Sequence, residues 1–328
     1  MRLSKSLIAV AVAAAGFSGS AVAAPAQDAL LPGEVNLASD DYGEFLVNAG
    51  AGAPGSTVID PGDILIGALR FNTIEGLSSG TTNVLGAGFD EFTAVFAQRY
   101  VGDIITDGVP DPTFGIGPLF GFGTSVFAPI TPADIAAGVG TGEISATLAA
   151  YLSSWAPGTM VATYSDADLD FSRVGGGTAE DLLDTAGPVS GATGSGVAPD
   201  VPLFEVGFTG QPGEFFIADL PSLDLAILGL LPPTSTAASL SAGLNVTANS
   251  VGVELVQIEC LLTPGGLLND ICVGGNITGV GGATTPYDLI GNIEARFFVV
   301  PEPTTTPLVL LGGTMIGLGL AARRRREA

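Results

Sequence analysis

Glycine and proline interrupt this chain at such short intervals that no long regular element fits between them. There are 48 Gly and 22 Pro among 328 residues. A proline cannot donate to a ladder and a glycine weakens the interior of a strand or helix, so both cut elements short. Between them lie β-branched and aromatic residues, which suit a pleated, half-buried surface. Alternating or continuous apolar runs fall at residues 43–47, 63–71, 91–101, 159–164, 203–208, 214–220, 239–248, 251–258 and 290–300. Short strands with turn residues between them predict a mainly β fold, an antiparallel β-sandwich or jelly roll. The last strand is expected to begin near Asn292 and to run straight toward Pro301.

Two segments depart from the β pattern. Thr131, Pro132 and Asp134 supply a capping residue, a first-turn proline and an acid three positions on. That signature predicts a short helix over 133–137, resuming near 143–153. Residues 178–184 suit one or two further helical turns, and the run at 225–231, bounded by Asp224 and Pro232, reads as a buried strand or short core segment. Residues 108–123 and 187–202 read as loops rich in Gly, Pro and Ser. The glycines at 274–275 and 279–282 read as turns, since they lack the lysine and the strand–loop–helix context of a nucleotide loop. With no fixed-period repeat and no clean linker, one domain is expected.

Charge narrows the functions open to that domain. Residues 24–322 hold four arginines (Arg70, Arg99, Arg173, Arg296), no lysine and 32 acids, a net charge of −28. Such a surface repels phosphate backbones, so a nucleic-acid partner is excluded. The whole chain has no histidine. A histidine-based triad, a zinc–histidine site and a lysine Schiff base are therefore all ruled out. Catalysis would fall to a pair of carboxylates, as in glycosidases, and no spacing in the sequence selects such a pair. The expectation is a non-enzymatic protein without an organic cofactor. Asp166, Asp168 and Asp170 alternate like the opening of a calcium loop, with Glu180, Asp181 and Asp184 following. Phe171 and Gly177 stand where an EF-hand needs glycine and an acid. Acids at alternate positions also describe the solvent face of a strand. Calcium is the one metal with a candidate site. The lone Trp155 and the five tyrosines are candidates for stacking on sugars.

Cys260 and Cys272 flank an 11-residue spacer that contains Pro264, Gly265 and Gly266. In an oxidising compartment they predict one disulfide closing a turn, and two cysteines without a histidine make a poor zinc site.

The two ends carry sorting information. Arg2 and Lys5 precede an apolar stretch at 7–15, and Ala21-Val22-Ala23 offers a small-x-small cleavage site that leaves Ala24 at the new terminus. Residues 1–23 are thus expected to be a signal peptide read by the general secretion machinery. At the other end Pro301, Glu302 and Pro303 precede the uncharged residues 308–322 and then Arg323, Arg324, Arg325 and Arg326. Fifteen helical residues span roughly 22 Å against a hydrocarbon core of about 30 Å. Local thinning and snorkelling arginines close that gap. A basic flank stays cytoplasmic, so the Pro-Glu-Pro side faces away from the cytoplasm. The prolines hold it extended ahead of the helix.

Motif, apolar segment and basic stop, in that order, resemble the PEP-CTERM sorting domain of Gram-negative bacteria, the substrate tag of the membrane protease-transpeptidase exosortase. The resemblance covers residues 300–328 and leaves 24–299 as an exported β-rich domain. It implies transient anchoring in the inner membrane by 308–322, processing near Pro301, Glu302 and Pro303, and transfer of the body to the cell surface or extracellular matrix. It also implies association with exopolysaccharide, biofilm or floc formation. The nucleophile in such processing belongs to exosortase, so these residues are substrate features. Two other activities suit the same location: a carboxylate-based hydrolase acting on matrix polysaccharide, and a calcium-dependent adhesin centred on residues 166–184.

Overall fold

The computed structural model describes residues 26–50, 56–85, 89–104, 124–166, 202–219, 238–250, 253–260, 267–280 and 289–300. The expected signal peptide at 1–23, the expected sorting segment from Pro301 onward, and the runs at 178–184 and 225–231 lie outside these residues. The described strands are β1 (Val35–Val47), β2 (Ile64–Phe71), β3 (Thr73–Gly76), β4 (Thr82–Val84), β5 (Glu91–Ile104), β6 (Thr124–Pro129), β7 (Thr159–Asp166), β8 (Phe204–Gly207), β9 (Phe215–Asp219), β10 (Ala238–Asn249), β11 (Leu255–Val256), β12 (Ile258–Glu259), β13 (Leu268–Asn269), β14 (Ile271–Val280) and β15 (Leu289–Val299). Two helices, α1 (Pro132–Thr141) and α2 (Ala146–Ser153), separate β6 from β7.

The pairings run β1–β2–β5–β7–β8–β10–β14–β15, and β15 returns to β1, so eight antiparallel strands close a ring. The seam is long, with Val35 opposite Phe298 through to Glu44 opposite Leu289. One part of the wall is divided lengthwise. The first half of β5 pairs with β7 and its second half with β6; β10 likewise pairs with β9 and then β8, and β6 pairs with β9. The change of partner in β5 falls between Phe96 and Gln98, and the β5–β6 pairing then carries an irregularity between Tyr100 and Gly102, where Gly102 has φ 142°. A bulge of this kind bends a strand and re-aims its pairing.

This is a mainly β, antiparallel fold, but a single closed sheet replaces the two facing sheets expected from the sequence. The reason is that a sandwich and a barrel write the same pattern: both turn alternate residues inward. β15 shows the alternation plainly, with Asn292, Glu294 and Arg296 exposed and Gly291, Ala295, Phe297 and Val299 buried. In β2 the alternation vanishes because both faces are covered. Leu65, Leu69 and Phe71 point to the barrel interior, whereas Ile64, Ile66 and Ala68 pack under α1 and α2 against Ile135, Leu148, Leu152 and Trp155.

The first helix starts as its sequence dictates. The Thr131 side chain accepts from the Asp134 amide at 3.3 Å while Asp134 Oδ2 accepts from the Thr131 amide at 2.7 Å, with Pro132 in the first turn. The helix runs to Thr141, past the expected 137, and ends on Gly142 with φ 80°. The second begins at Ala146.

Several expectations are corrected. Gly274, Gly275 and Gly279 do not form turns but lie inside β14, paired with Glu294, Ile293 and Ile290. A Cβ at Gly275 would stand 2.4 Å from the carbonyl oxygen of Asn292, so the missing side chain lets the two backbones approach. In the apolar run at 251–258, the described residues 253–258 hold only the two-residue strand β11 and the first residue of β12. β3, β4, β6 and β13 fall outside every expected run. β15 spans 289–299, close to the expected last strand.

Candidate functional site

The inward side chains of the ring meet in one apolar interior. Tyr42 comes from β1, Phe96 from β5, Met160 from β7, Leu240 from β10 and Phe297 from β15. Two glycines make room for the rings. Phe96 covers its cross-strand partner Gly67, and Tyr42 covers its partner Gly291. Tyr42 and Phe96 meet edge to face, with centroids 5.9 Å apart. Packing leaves a cavity of about 70 Å³.

Two polar groups on that lining stand apart. Tyr42 and Glu44 share the inward face of β1, as residues two apart must. They are 1% and 3% exposed. The Tyr42 hydroxyl and Glu44 Oε2 have no hydrogen-bond partner among the described residues. Burial pushes the Glu44 carboxyl up to about 8. Burial, and secondarily the nearby Glu44 charge, pushes the Tyr42 hydroxyl well above its ordinary value. At neutral pH the cavity therefore carries two O–H donors on an apolar wall. Thr163 also lines it, but its hydroxyl is satisfied, donating to the Phe204 carbonyl and accepting from the Phe204 amide at 3.1 Å each.

Glu44 was read from the sequence only as part of an apolar strand. Its signal was an acid at an inward position, flanked at period two by Tyr42 and Leu46, and nothing in one sequence says which face of that strand is inward. Two other buried acids are fully accounted for. Glu205 Oε2 accepts from the Ala156 amide at 2.7 Å and from the Thr159 hydroxyl at 2.9 Å. Asp63 accepts from the amides of Gly50 and Asp60 at 2.8 and 2.7 Å, which makes the Asp60–Asp63 segment the turn its Pro and Gly suggest. Burial nonetheless raises the Asp63 carboxyl from its ordinary value.

Cys260 and Cys272 are bonded, joining the residue after β12 to β14. Asp166 ends β7, opposite Glu91, while Asp168 and Asp170 lie outside the described residues. Among the described residues no three His, Cys, Asp or Glu side chains stand close enough to hold a metal. Tyr287 lies outside the described residues, and the aromatic candidates among the described residues are not at the surface. Trp155 is 9% exposed and packs edge to face on Tyr151 at 5.5 Å, and Tyr42, Tyr100, Tyr151 and Tyr164 are all buried. Each large ring went to fill core volume, which withdraws these five from sugar stacking. Ala21, Ala23, Ala24, Pro301, Glu302, Pro303 and Arg323 to Arg326 lie outside the described residues, as does any membrane segment at 308–322. Among the described residues no helix is long and apolar enough to cross a membrane. The folded body reaches almost to the motif: the Gly33 amide donates to the Val299 carbonyl and the Val300 amide to the Glu254 carbonyl, both at 2.8 Å. In comparisons with protein-family models, with curated proteins and with solved structures, nothing matches this chain.

Proposed function

We propose that the chain is an exported, non-enzymatic surface or extracellular-matrix protein, processed by exosortase and associated with exopolysaccharide, biofilm or floc formation. The observation that carries this reading is the order at the C-terminus: Pro301-Glu302-Pro303, then the uncharged 308–322, then four arginines. The end of β15 at Val299 supports it, because the sheet finishes two residues before Pro301 and processing there leaves every described pairing intact. The strongly acidic composition, which favours solubility, and a disulfide suited to an oxidising compartment also agree with export. The rival hydrolase reading finds little support in the cavity. A glycosidase places two carboxylates about its bond, and among the described residues Glu44 is the only acid on that lining.

The test is the intact mass and cell fraction of the protein in its host, with and without the exosortase. Loss of both ends and departure from the membrane only in the presence of the enzyme is the expected result. An arginine-tailed chain that stays with the inner membrane in both strains overturns the reading.

A further inference from the structure

The barrel interior holds more space and more unused polarity than a filled core needs. An opening of about 70 Å³ is several times the ~10–15 Å³ that admits one water, so a molecule of several heavy atoms fits. Its walls are apolar, contributed by Leu69, Met160, Leu240 and Phe297 among others. An isolated buried hydroxyl or carboxyl without a partner is costly, of order 1–3 kcal/mol each. Here two such groups, the Tyr42 hydroxyl and Glu44 Oε2, sit on one strand face and on one cavity. Their placement is held by packing. Tyr42 is pinned by Phe96 and Gly291, and Glu44 sits opposite Gly67, whose missing side chain Phe96 covers. A rigid pair of donors facing an apolar space is the arrangement of a small-molecule site, in which a few fixed polar groups orient a ligand held mainly by hydrophobic contact.

We infer that the barrel interior binds a small, uncharged, mostly apolar molecule carrying one oxygen acceptor, such as a short ketone or aldehyde, which receives hydrogen bonds from Tyr42 and Glu44. The inference does not depend on how the chain is sorted. Glu44 keeps its proton at neutral pH, as its burial requires, and so can donate to an acceptor. Among the described residues no Lys or Arg lines the cavity, so burying the charge of a carboxylate ligand there would go uncompensated. Anionic lipids and fatty acids are accordingly outside the class.

The test compares two probes of nearly the same shape, cyclopentanone and methylenecyclopentane, titrated into the purified full chain and followed by NMR. Both are expected to saturate the wild type. In Glu44→Leu the ketone-to-alkene affinity ratio falls about tenfold, the worth of roughly one hydrogen bond. Tyr42→Phe lowers the same ratio, and because it removes only the hydroxyl it carries the test if Glu44→Leu does not fold. Ala295→Leu, which fills the lining from β15, abolishes binding of both probes. The inference is overturned if neither probe saturates the wild type, which would mean that the cavity holds only water. It is equally overturned if the ratio is unchanged in both Glu44→Leu and Tyr42→Phe, or if Ala295→Leu binds both probes as before.

Discussion

The ring of Tyr42 lies over Gly291, its partner across the seam that closes the barrel. A Cβ added at Gly291 would stand 2.7 Å from two carbons of that ring and 2.2 Å from the carbonyl oxygen of Asn276. Glycine is required there by its neighbours on both sides, since real side chains do not approach so closely. Gly291→Val should therefore push Tyr42 off its position and open the β1–β15 seam. A loss of about 1–3 kcal/mol is expected from overpacking, read as a lower denaturant midpoint. Gly274→Ala, at a glycine of the neighbouring strand where an added Cβ would meet nothing within 4 Å, is the control and should change stability far less.

Glu44 makes the barrel's stability depend on pH in a direction opposite to that of a salt-bridged acid. Its carboxyl titrates near 8 in the folded chain against an ordinary 4.5, because ionisation in the apolar interior is unfavourable. The folded state then binds more protons than the unfolded state between those values. Its contribution is complete below 4.5 and is lost as pH rises through about 8. Among the described residues Tyr42 is the other titratable side chain on the lining, and it stays protonated throughout this window. The expected loss from this group is roughly 3–5 kcal/mol across the window, at about 1.4 kcal/mol per pKa unit. In Glu44→Gln that part of the slope should disappear, so the difference in Tm between the two ends of the window shrinks. An unchanged slope would place the pH dependence elsewhere.

The Cys260–Cys272 bond ties the β12–β13 hairpin to β14 over the outer face of the wall. Cys260 packs with Val126, Phe215 and Ile217, and the side-chain amide of Asn269 donates to the Gly213 carbonyl at 3.2 Å. The closed loop spans 12 positions, for which chain entropy gives about 2–3 kcal/mol. Replacing both cysteines by alanine should lower stability by that amount. The closed ring β1–β2–β5–β7–β8–β10–β14–β15 contains neither β12 nor β13, so cooperative unfolding should survive. The effect is measured by denaturant melts of the oxidised chain and the double variant, with protection of the β12–β13 amides read by hydrogen exchange.

The strands with β-branched or aromatic runs were legible because their side chains had to be buried on at least one face: β2, β5, β7, β9 and β15 fall where the pattern put them. The helix start at Thr131 was legible for a different reason, since a capping box is local and needs no tertiary partner. β14 was not, because its glycines serve the strand beside it. Gly275 is needed where the Asn292 carbonyl comes close, and that neighbour is 17 residues away in the chain. Closure of the sheet was equally hidden, as alternation records which residues face inward and not whether the first and last strands meet. The candidate site was least legible of all. Glu44 matters because Tyr42, Gly67 and Phe96 surround it, and only the registers of β1 with β2 and of β2 with β5 bring them together.

The sheet ends at the junction between the body and its tail. Val299 accepts from the Gly33 amide and Val300 donates to the Glu254 carbonyl, so the described hydrogen bonds of β15 and its extension are complete by Val300. A chain ending at Val300 should keep the barrel. Its unfolding free energy, read by denaturant melts, should match that of the longer form to within the small changes seen for surface alterations, about 0.5 kcal/mol. A chain ending at Ala295 loses Phe297 and Val299 from the core and the seam pairing of Arg296, Phe297 and Phe298 with β1. Burying a Phe and a Val contributes about 1.5–3 kcal/mol each, so this shorter chain should melt far lower or fail to fold. A steep loss on ending at Val300 would mean that residues after it hold the sheet together, and that processing near Pro301 would weaken the body it releases.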